Sequence, residues 1–336
     1  RVFPPEPGLP WPVTDLEEAS DGSVWAATGW GALRLYRGEA HVYAASGAAR
    51  VLEKQAPYVR TVAVPEAAIQ MGAWGQGVGV AMVPTGRTPG PRVITELAPG
   101  GPAEAAGLIL GDMLLSVNGD STDWRALMGA VGAPAVVTVR RSTVPEPFEV
   151  VLDRGLVEGE YAEFRVSDIC AGSGSTMWFG LYAGEVVKYE PNGGEKLGHE
   201  SFETSPPGAW QRCGEKDGLD VGRGISIFET RDKTIWTASD NALKGVNRYQ
   251  GGAWTHMSLQ PYGGFYDVHT SLLETEDGTL WIGGQWGRLS VLREGIWVTY
   301  RGGEEGQLPI PTTRIVDLLQ ASDGAIWMVG LGESPV

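Results

Sequence analysis

The sequence is poor in the residues from which several classes of site are built. It has two cysteines and four histidines among 336 residues, and 26 Lys and Arg against 41 Asp and Glu, a net charge of −15. The two cysteines, Cys170 and Cys213, exclude a disulfide framework and lack the spacing of metal ligands. Because the negative charge repels a phosphate backbone, we expect no nucleic acid partner.

Long apolar runs are also absent. No stretch approaches the ~18 residues that suggest a membrane-spanning helix, and the amino terminus has no apolar core like that of a signal peptide. We therefore expect contact with a membrane only through segments outside this sequence. The 49 glycines and 22 prolines are spread along the chain, which is typical of a folded protein with many turns.

No constellation of catalytic residues is visible. The histidines are scattered, and the sequence contains neither a His-Glu-x-x-His nor a Gly-x-Ser-x-Gly motif. Gly75, Gly77 and Gly79 precede a strand-like segment, where a dinucleotide site would need a helix. We expect a protein that is not an enzyme, with no cofactor and no metal.

Five copies of one motif recur outside the middle of the chain. In each copy a short apolar strand runs into an Asp-Gly-like turn and a second strand that carries Trp, which predicts a tight hairpin. The Trp lies ten positions after a polar residue in every copy. The polar residues are Asp15, Asp168, Ser226, Ser271 and Asp317, and the tryptophans are Trp25, Trp178, Trp236, Trp281 and Trp327.

Further strands follow the hairpins, so one repeat holds about four strands, as a propeller blade does. From Trp178 onward the intervals are close to the ~40–50 residues of a blade. We expect each Trp to fill the wedge between neighbouring blades, and the Asp-Gly pair to form the turn. The sequence predicts an all-β fold, a β-propeller of about five visible four-stranded blades, and leaves the completeness of the ring open.

The order of apolar strand, Asp-Gly-x-aliphatic-Trp, small residues and Gly resembles the two-component regulator propeller repeat. In that family the propellers form extracytoplasmic sensors of bacterial hybrid histidine kinases, and some occur in proteins without a kinase. The resemblance implies a sensing role and a periplasmic or other extracytoplasmic location. The sequence has no kinase or receiver segment, so signalling is implied by the resemblance alone.

A different signature interrupts the repeat. Residues 101–108 (GPAEAAGL), 111–115 (GDMLL) and 117–119 (VNG) resemble the helix, strand and turn of a bacterial PDZ domain, an α+β fold. We divide the chain into blade one (1–68), a PDZ domain (69–154) and blades two to five (155–336).

The PDZ resemblance implies a groove for a peptide or a protein C terminus. In PDZ domains the peptide adds as a strand, and backbone N–H groups of a glycine-containing loop hold its carboxylate. A helix predicted over residues 124–131 would line the pocket for the terminal apolar side chain. The residues assigned to peptide binding are Gly77, Val78, Gly79, Val80, Leu127 and Val131. The alternative is an occluded groove in a domain that only spaces or docks the propeller.

A second ligand site is predicted on one face of the propeller. Five residues after the repeat Trp come Trp30 in blade one and Trp286 in blade four, and Tyr182 lies one position earlier in blade two. Aromatic rings gathered around the axis would suit a glycan or another small molecule. The alternative is that each ring only caps its own hairpin.

These features predict a ligand- or peptide-sensing module that uses the propeller face, the PDZ groove or both. The alternative is a PDZ adaptor or scaffold that captures protein C termini, as in envelope proteolysis or quality control. The two functions differ in where the ligand binds.

Overall fold

The structure is a computed structural model that describes residues 13–56, 59–65, 68–84, 90–121, 123–182, 184–191, 209–219, 222, 225–239, 246–257, 269–284, 287–301, 310 and 314–331. The chain forms two compact units. Most of the first unit is Trp25–Arg165, whereas the second contains Asp15–Val24 and most of the chain from Val166 onward.

Blade one is a five-stranded sheet with the order β1-β2-β3-β4-β5. Its elements are β1 (Val13–Glu18), β2 (Val24–Thr28), β3 (Gly31–Tyr36), β4 (Glu39–Ala44), α1 (Ser46–Gln55) and β5 (Arg60–Ala63). β5 runs parallel to β4, a pairing that a tight hairpin cannot make and that here includes a helical crossover. The prediction of four strands is therefore wrong for this blade, because the hairpin repeat gave no signal for α1 or β5.

The inserted domain is built on a second five-stranded sheet, with the order β12-β11-β10-β9-β8. Two short ribbons flank this sheet, since β6 pairs with β14 and β7 pairs with β13. The elements are β6 (Gln70–Ala73), β7 (Gln76–Gly77), β8 (Val80–Pro84), β9 (Arg92–Leu97), α2 (Pro102–Ala105), β10 (Met113–Val117), β11 (Pro134–Arg140), β12 (Phe148–Asp153), β13 (Gly155–Leu156) and β14 (Glu160–Glu163). β8 is an edge strand of its sheet.

Helix α1 joins blade one to the inserted sheet. One buried apolar cluster contains Leu33 of blade one, Leu52 of α1 and Val93 of β9. Gly47 permits the close approach of α1 to β9, because a Cβ at this position would lie 2.7 Å from Cγ of Glu96. Blade one and the inserted domain therefore share a core.

Blades two, three and four are four-stranded antiparallel sheets, and the described part of blade five is a hairpin. Their strands are β15 (Val166–Ala171), β16 (Met177–Leu181), β17 (Val186–Glu190), β18 (Ala209–Cys213), β19 (Ser226–Glu229), β20 (Ile235–Ala238), β21 (Val246–Gln250), β22 (Ala253–Met257), β23 (His269–Glu274), β24 (Leu280–Gly284), β25 (Arg288–Arg293), β26 (Ile296–Arg301), β27 (Arg314–Gln320) and β28 (Ile326–Leu331). The predicted fold class, propeller-type blades with an inserted PDZ-like α+β domain, is confirmed.

Two of the repeated Trp side chains, Trp178 and Trp236, pack between blades, as predicted. Trp178 belongs to a buried cluster with Ile227 of blade three, and Trp236 to one with Ile282 of blade four. Trp327 of blade five differs from them because it is 64% exposed. The wedge interpretation is confirmed for blades two and three.

The Asp-Gly turns also form as predicted. Asp21 Oδ1 accepts a hydrogen bond from Ser23 N at 2.8 Å, and Asp277 Oδ1 accepts one from Thr279 N at 3.1 Å. Gly278 has a φ of +80°, which glycine adopts without steric cost. These aspartates are therefore turn residues.

One hydrogen bond recurs between consecutive blades. The last residue of the first strand of a blade accepts from a backbone N–H in the first turn of the preceding blade. The pairs are Ser173 N with Glu229 Oε2, Arg231 N with Glu274 Oε2, and Glu276 N with Gln320 Oε1, each at 2.8 Å. This bond fixes the register of one blade against the next.

Two carboxyl groups meet between the first strands of blades one and two. Asp15 Oδ2 accepts from Ile169 N at 3.2 Å, and Asp168 Oδ2 accepts from Ile227 N at 2.8 Å. Asp15 and Asp168 also hydrogen-bond to each other, and burial, followed by this bond and the charge of Asp15, raises the pKa of Asp168 well above its usual value. The pair is therefore expected to retain a proton above the usual pKa of an aspartate.

Replacing Asp168 by Asn should flatten the dependence of stability on pH. Because the folded-state pKa is raised, the stabilisation by Asp168 is complete below its unfolded-state pKa of about 4 and is lost as the pH rises through the folded-state pKa. The midpoint of thermal unfolding, followed by circular dichroism, should fall with rising pH more steeply in the wild type than in Asp168→Asn.

Asp317→Asn is the matched control for this experiment. Asp317 occupies the same repeat position in blade five, and its Oδ1 accepts from Leu318 N at 2.8 Å. This variant should keep the wild-type slope. An equal slope in the wild type and Asp168→Asn would contradict the shared proton.

Candidate functional site

A cavity of about 150 Å³ lies beside the edge strand β8. Its walls come from the loop that precedes β8, from β8 itself, from a 3-10 helix at Trp124–Leu127, and from two aromatic residues near the ribbons. The lining residues are Trp74, Gly75, Gln76, Gly77, Val78, Gly79, Val80, Met82, Trp124, Leu127, Met128 and Tyr161. A cavity of this size can hold a group as large as benzene.

The loop that the sequence assigned to carboxylate binding forms one wall of the cavity. Gly79 has a φ of +73°, and a Cβ on it would lie 2.9 Å from Cβ of Ala98, so the position requires glycine. The carbonyls of Val78 and Gly79 accept hydrogen bonds from the N–H groups of Ala103 and Ala98, each at 2.9 Å. The N–H groups of Val78 and Gly79 themselves have no acceptor among the residues that the structure describes.

The helix predicted over residues 124–131 is wrong in type and length. Only Trp124–Leu127 is helical, and it forms a single 3-10 turn. Gly129 and Gly132 follow with φ values of +142° and +80°, which a right-handed helix cannot contain. The two glycines therefore end the helix after one turn.

This shorter helix changes which residues reach the cavity. Leu127 is 3% exposed and lines the cavity, as predicted. Val131 is 58% exposed and lies outside the cavity wall, so its predicted position one helical turn beyond Leu127 is wrong. Met128, which the sequence analysis did not select, contributes to the wall instead.

Arg154 fixes the 3-10 helix against the sheet. Its side chain is buried, and it donates to the carbonyl of Ala126 through Nε at 3.1 Å and also through Nη2. Nη1 donates to the carbonyls of Ala133 and Pro134 at 3.0 and 2.8 Å. One guanidinium thus holds the helical wall of the cavity to the start of β11.

Replacing Arg154 by Met should lower the free energy of unfolding by about 3 kcal/mol, because partly buried carbonyls lose charged donors. Urea denaturation followed by tryptophan fluorescence measures the change. Arg140→Met is the control, since Arg140 is exposed at the end of β11 and its replacement should change stability little. Equal midpoints for the two variants would contradict this role of Arg154.

Trp74 and Tyr161 form an aromatic wall that the sequence analysis missed. Their ring centroids are 4.6 Å apart, and the rings are tilted by 39°. Trp74 follows β6, Tyr161 lies in β14, and Trp74 N donates to the carbonyl of Gly159 at 3.0 Å. The two residues lie outside the PDZ signature, and the pairing of β6 with β14 brings them together. An aromatic residue near each end of the insertion was the available signal.

The predicted aromatic site on the propeller face is wrong for Trp30. Trp30 is 2% exposed and belongs to the buried cluster that includes Ala48 of α1. Helix α1 packs onto this position, so the ring cannot serve as an open platform. Tyr182 is 43% exposed, and Trp286 lies outside the described residues.

Within the described ranges, no three His, Cys, Asp or Glu side chains are grouped as metal ligands would be. None of the described helices is both long and apolar enough to cross a membrane. Cys170 and Cys213 are buried free thiols, and burial raises the pKa of each.

The inserted sheet and its short helix form a PDZ-like domain, and the sequence comparison agrees with this class. Residues 93–141 match the PDZ domain family. The match includes β9, β10 and β11 of the inserted sheet. No curated protein matches the chain.

Several solved structures resemble the whole chain at low similarity. The extracellular domain of the proposed one-component system BT4673 from B. thetaiotaomicron is 13% identical, with a TM-score of 0.37 over 95% of this chain and 37% of that one. The extracellular domain of the proposed hybrid two-component system BT3049 from the same organism is 11% identical, with a TM-score of 0.37. The match covers 94% of this chain and 50% of that one.

A third solved structure is PorZ, a surface component of the type-IX secretion system of Porphyromonas gingivalis. It is 13% identical, with a TM-score of 0.37 over 92% of this chain and 44% of PorZ. The chain thus spans half or less of the length of each of these three proteins.

Proposed function

We propose that the chain binds the C-terminal segment of a peptide or protein in the groove beside β8. The observation that carries the proposal is the meeting of three features at one place. These are an edge strand, a glycine loop with two N–H groups that have no acceptor among the described residues, and an apolar cavity. Each feature matches a different part of a peptide.

The edge strand matches the peptide backbone. β8 stands at the end of its sheet and pairs with β9, so its outer edge has backbone groups that an added strand would pair with. A peptide bound in this way runs antiparallel to β8, with its C terminus at the loop that precedes the strand.

The loop matches the terminal carboxylate. The N–H groups of Val78 and Gly79 lie at the cavity wall and would donate to the carboxylate oxygens. Hydrogen bonds to an ionised acceptor are about twice as strong as neutral ones. The carboxylate would thus be held by backbone, without a dedicated cation.

The cavity matches the last side chain of the peptide. Met82, Leu127 and Met128 supply apolar walls, and Trp124 adds an indole ring. Because the volume of about 150 Å³ is that of a benzene site, we propose a C-terminal Leu, Val, Ile or Phe.

We propose that this binding is the recognition step of an extracytoplasmic sensing module, which acts without catalysis. The support is the resemblance of the blade motif, Asp-Gly-x-aliphatic-Trp, to the repeat of bacterial two-component regulators. A PDZ adaptor would use the same groove for the C termini of whole proteins.

Peptides with a free C-terminal carboxylate and a terminal Leu or Phe should bind the full chain. The same peptides with a C-terminal amide should bind at least about tenfold more weakly, which is a loss of about 1.4 kcal/mol in binding free energy. Fluorescence anisotropy with labelled peptides measures both dissociation constants. Equal binding of acid and amide, or no binding by a broad library of free-acid peptides, would overturn the proposal.

Two alanine variants separate binding from backbone strain. Gly79 and Gly119 have φ values of +73° and +79°, but a Cβ on Gly119 meets no atom within 4 Å. Gly79→Ala should weaken peptide binding at least about tenfold, whereas Gly119→Ala should keep it. Thermal melts of both variants verify that each is folded.

A further inference from the structure

We infer that blade one and the PDZ-like domain together form a second pocket for the same peptide, which takes a bulky apolar side chain one or three residues before the C terminus. This inference rests on the proposed function, since it concerns a peptide bound along β8. It adds a specificity element that blade one supplies.

A second cavity, of about 170 Å³, lies along the same strand. Residues 80–83 of β8 line one side of it, and the other walls include Trp30 and Ala48 on the side of blade one and Phe164 after β14. Val80, Met82 and Tyr161 line both cavities. The two cavities therefore adjoin along the edge where the peptide would lie.

The alternation of side chains along a strand assigns the two cavities to different residues of the peptide. Val80 and Met82 pack towards the core of the PDZ-like domain, whereas Val83 belongs to the cluster shared with blade one. An added strand has the same alternation, with successive side chains on opposite faces. If the last residue enters the first cavity, the residues one and three before it face blade one.

The side chains that blade one and Phe164 contribute to the second cavity favour an apolar occupant. Trp30, Ala48 and Phe164 are buried and apolar. The polar side chains in the wall are Thr95, whose hydroxyl donates to the carbonyl of Ala81 at 3.3 Å, and Arg165, which has interactions of its own. A volume of about 170 Å³ accommodates one large side chain such as Phe, Leu or Met.

A peptide series tests this inference without altering the protein. All peptides end in a free C-terminal Leu. The test series has Phe, Ala or Asp either one or three residues before this Leu. A control series has the same three residues five positions before the Leu, beyond β8. Phe should bind about tenfold more tightly than Ala in at least one of the first two positions, and Asp more weakly than Ala. The control series should show no such order.

A cavity-filling variant tests whether the wall formed by blade one causes the preference for Phe. Ala48→Leu should reduce the affinity for the Phe peptide to that for the Ala peptide. Arg50→Leu adds the same side chain at an exposed position of α1 and should keep the preference for Phe. Thermal melts show whether Ala48→Leu is folded. If it is not, the peptide series alone tests whether the second pocket exists.

The outcomes separate the two proposals. If free-acid peptides bind but the residues one and three before the end have no effect, the second pocket is refuted and the proposed function stands. If no free-acid peptide binds at all, the proposed function itself fails. A preference for Phe that survives Ala48→Leu would place the pocket away from blade one and refute the inference.

Discussion

The groove depends on the packing of α1 against β9. The inserted sheet has two faces, one covered by its own core around Leu114 and the other by the cluster that contains Val93 and Leu52. Gly47 allows the helix to lie close enough for the second face to be buried. Because both faces are covered, the position of β8 relative to blade one follows from core packing rather than from a linker.

The recognition proposed for this groove depends on backbone and apolar surface rather than on charge. The chain has a net charge of −15, so its long-range field opposes the approach of a peptide carboxylate, while salt screens that field beyond about 10 Å. The N–H groups near Gly79 act at hydrogen-bond distance, where the local dipoles dominate. Arg154, the buried cation of this region, is occupied with carbonyls.

The features that were predictable from sequence are those set by local chemistry. The Asp-Gly turns, the wedge position of Trp178 and the glycine at residue 79 follow from nearby residues. The length of the helix after Trp124 is also set locally, since Gly129 and Gly132 lie within and directly after the predicted range, but the PDZ resemblance implied a longer helix. The Trp74–Tyr161 wall could not be predicted from nearby residues, because strand pairing across the whole insertion brings the two rings together.

The error at Trp30 has a different cause, which bears on how the site arose. Repeat symmetry makes Trp30 nearly equivalent to Tyr182, and Tyr182 is 43% exposed whereas Trp30 is 2% exposed. The symmetry fails in blade one because this blade has α1 and the inserted sheet packed on it. A position that is exposed in blade two has thereby become a pocket wall beside β8. The insertion thus both supplies a groove and covers the surface of the blade that receives it, so the specificity proposed for this groove depends on both.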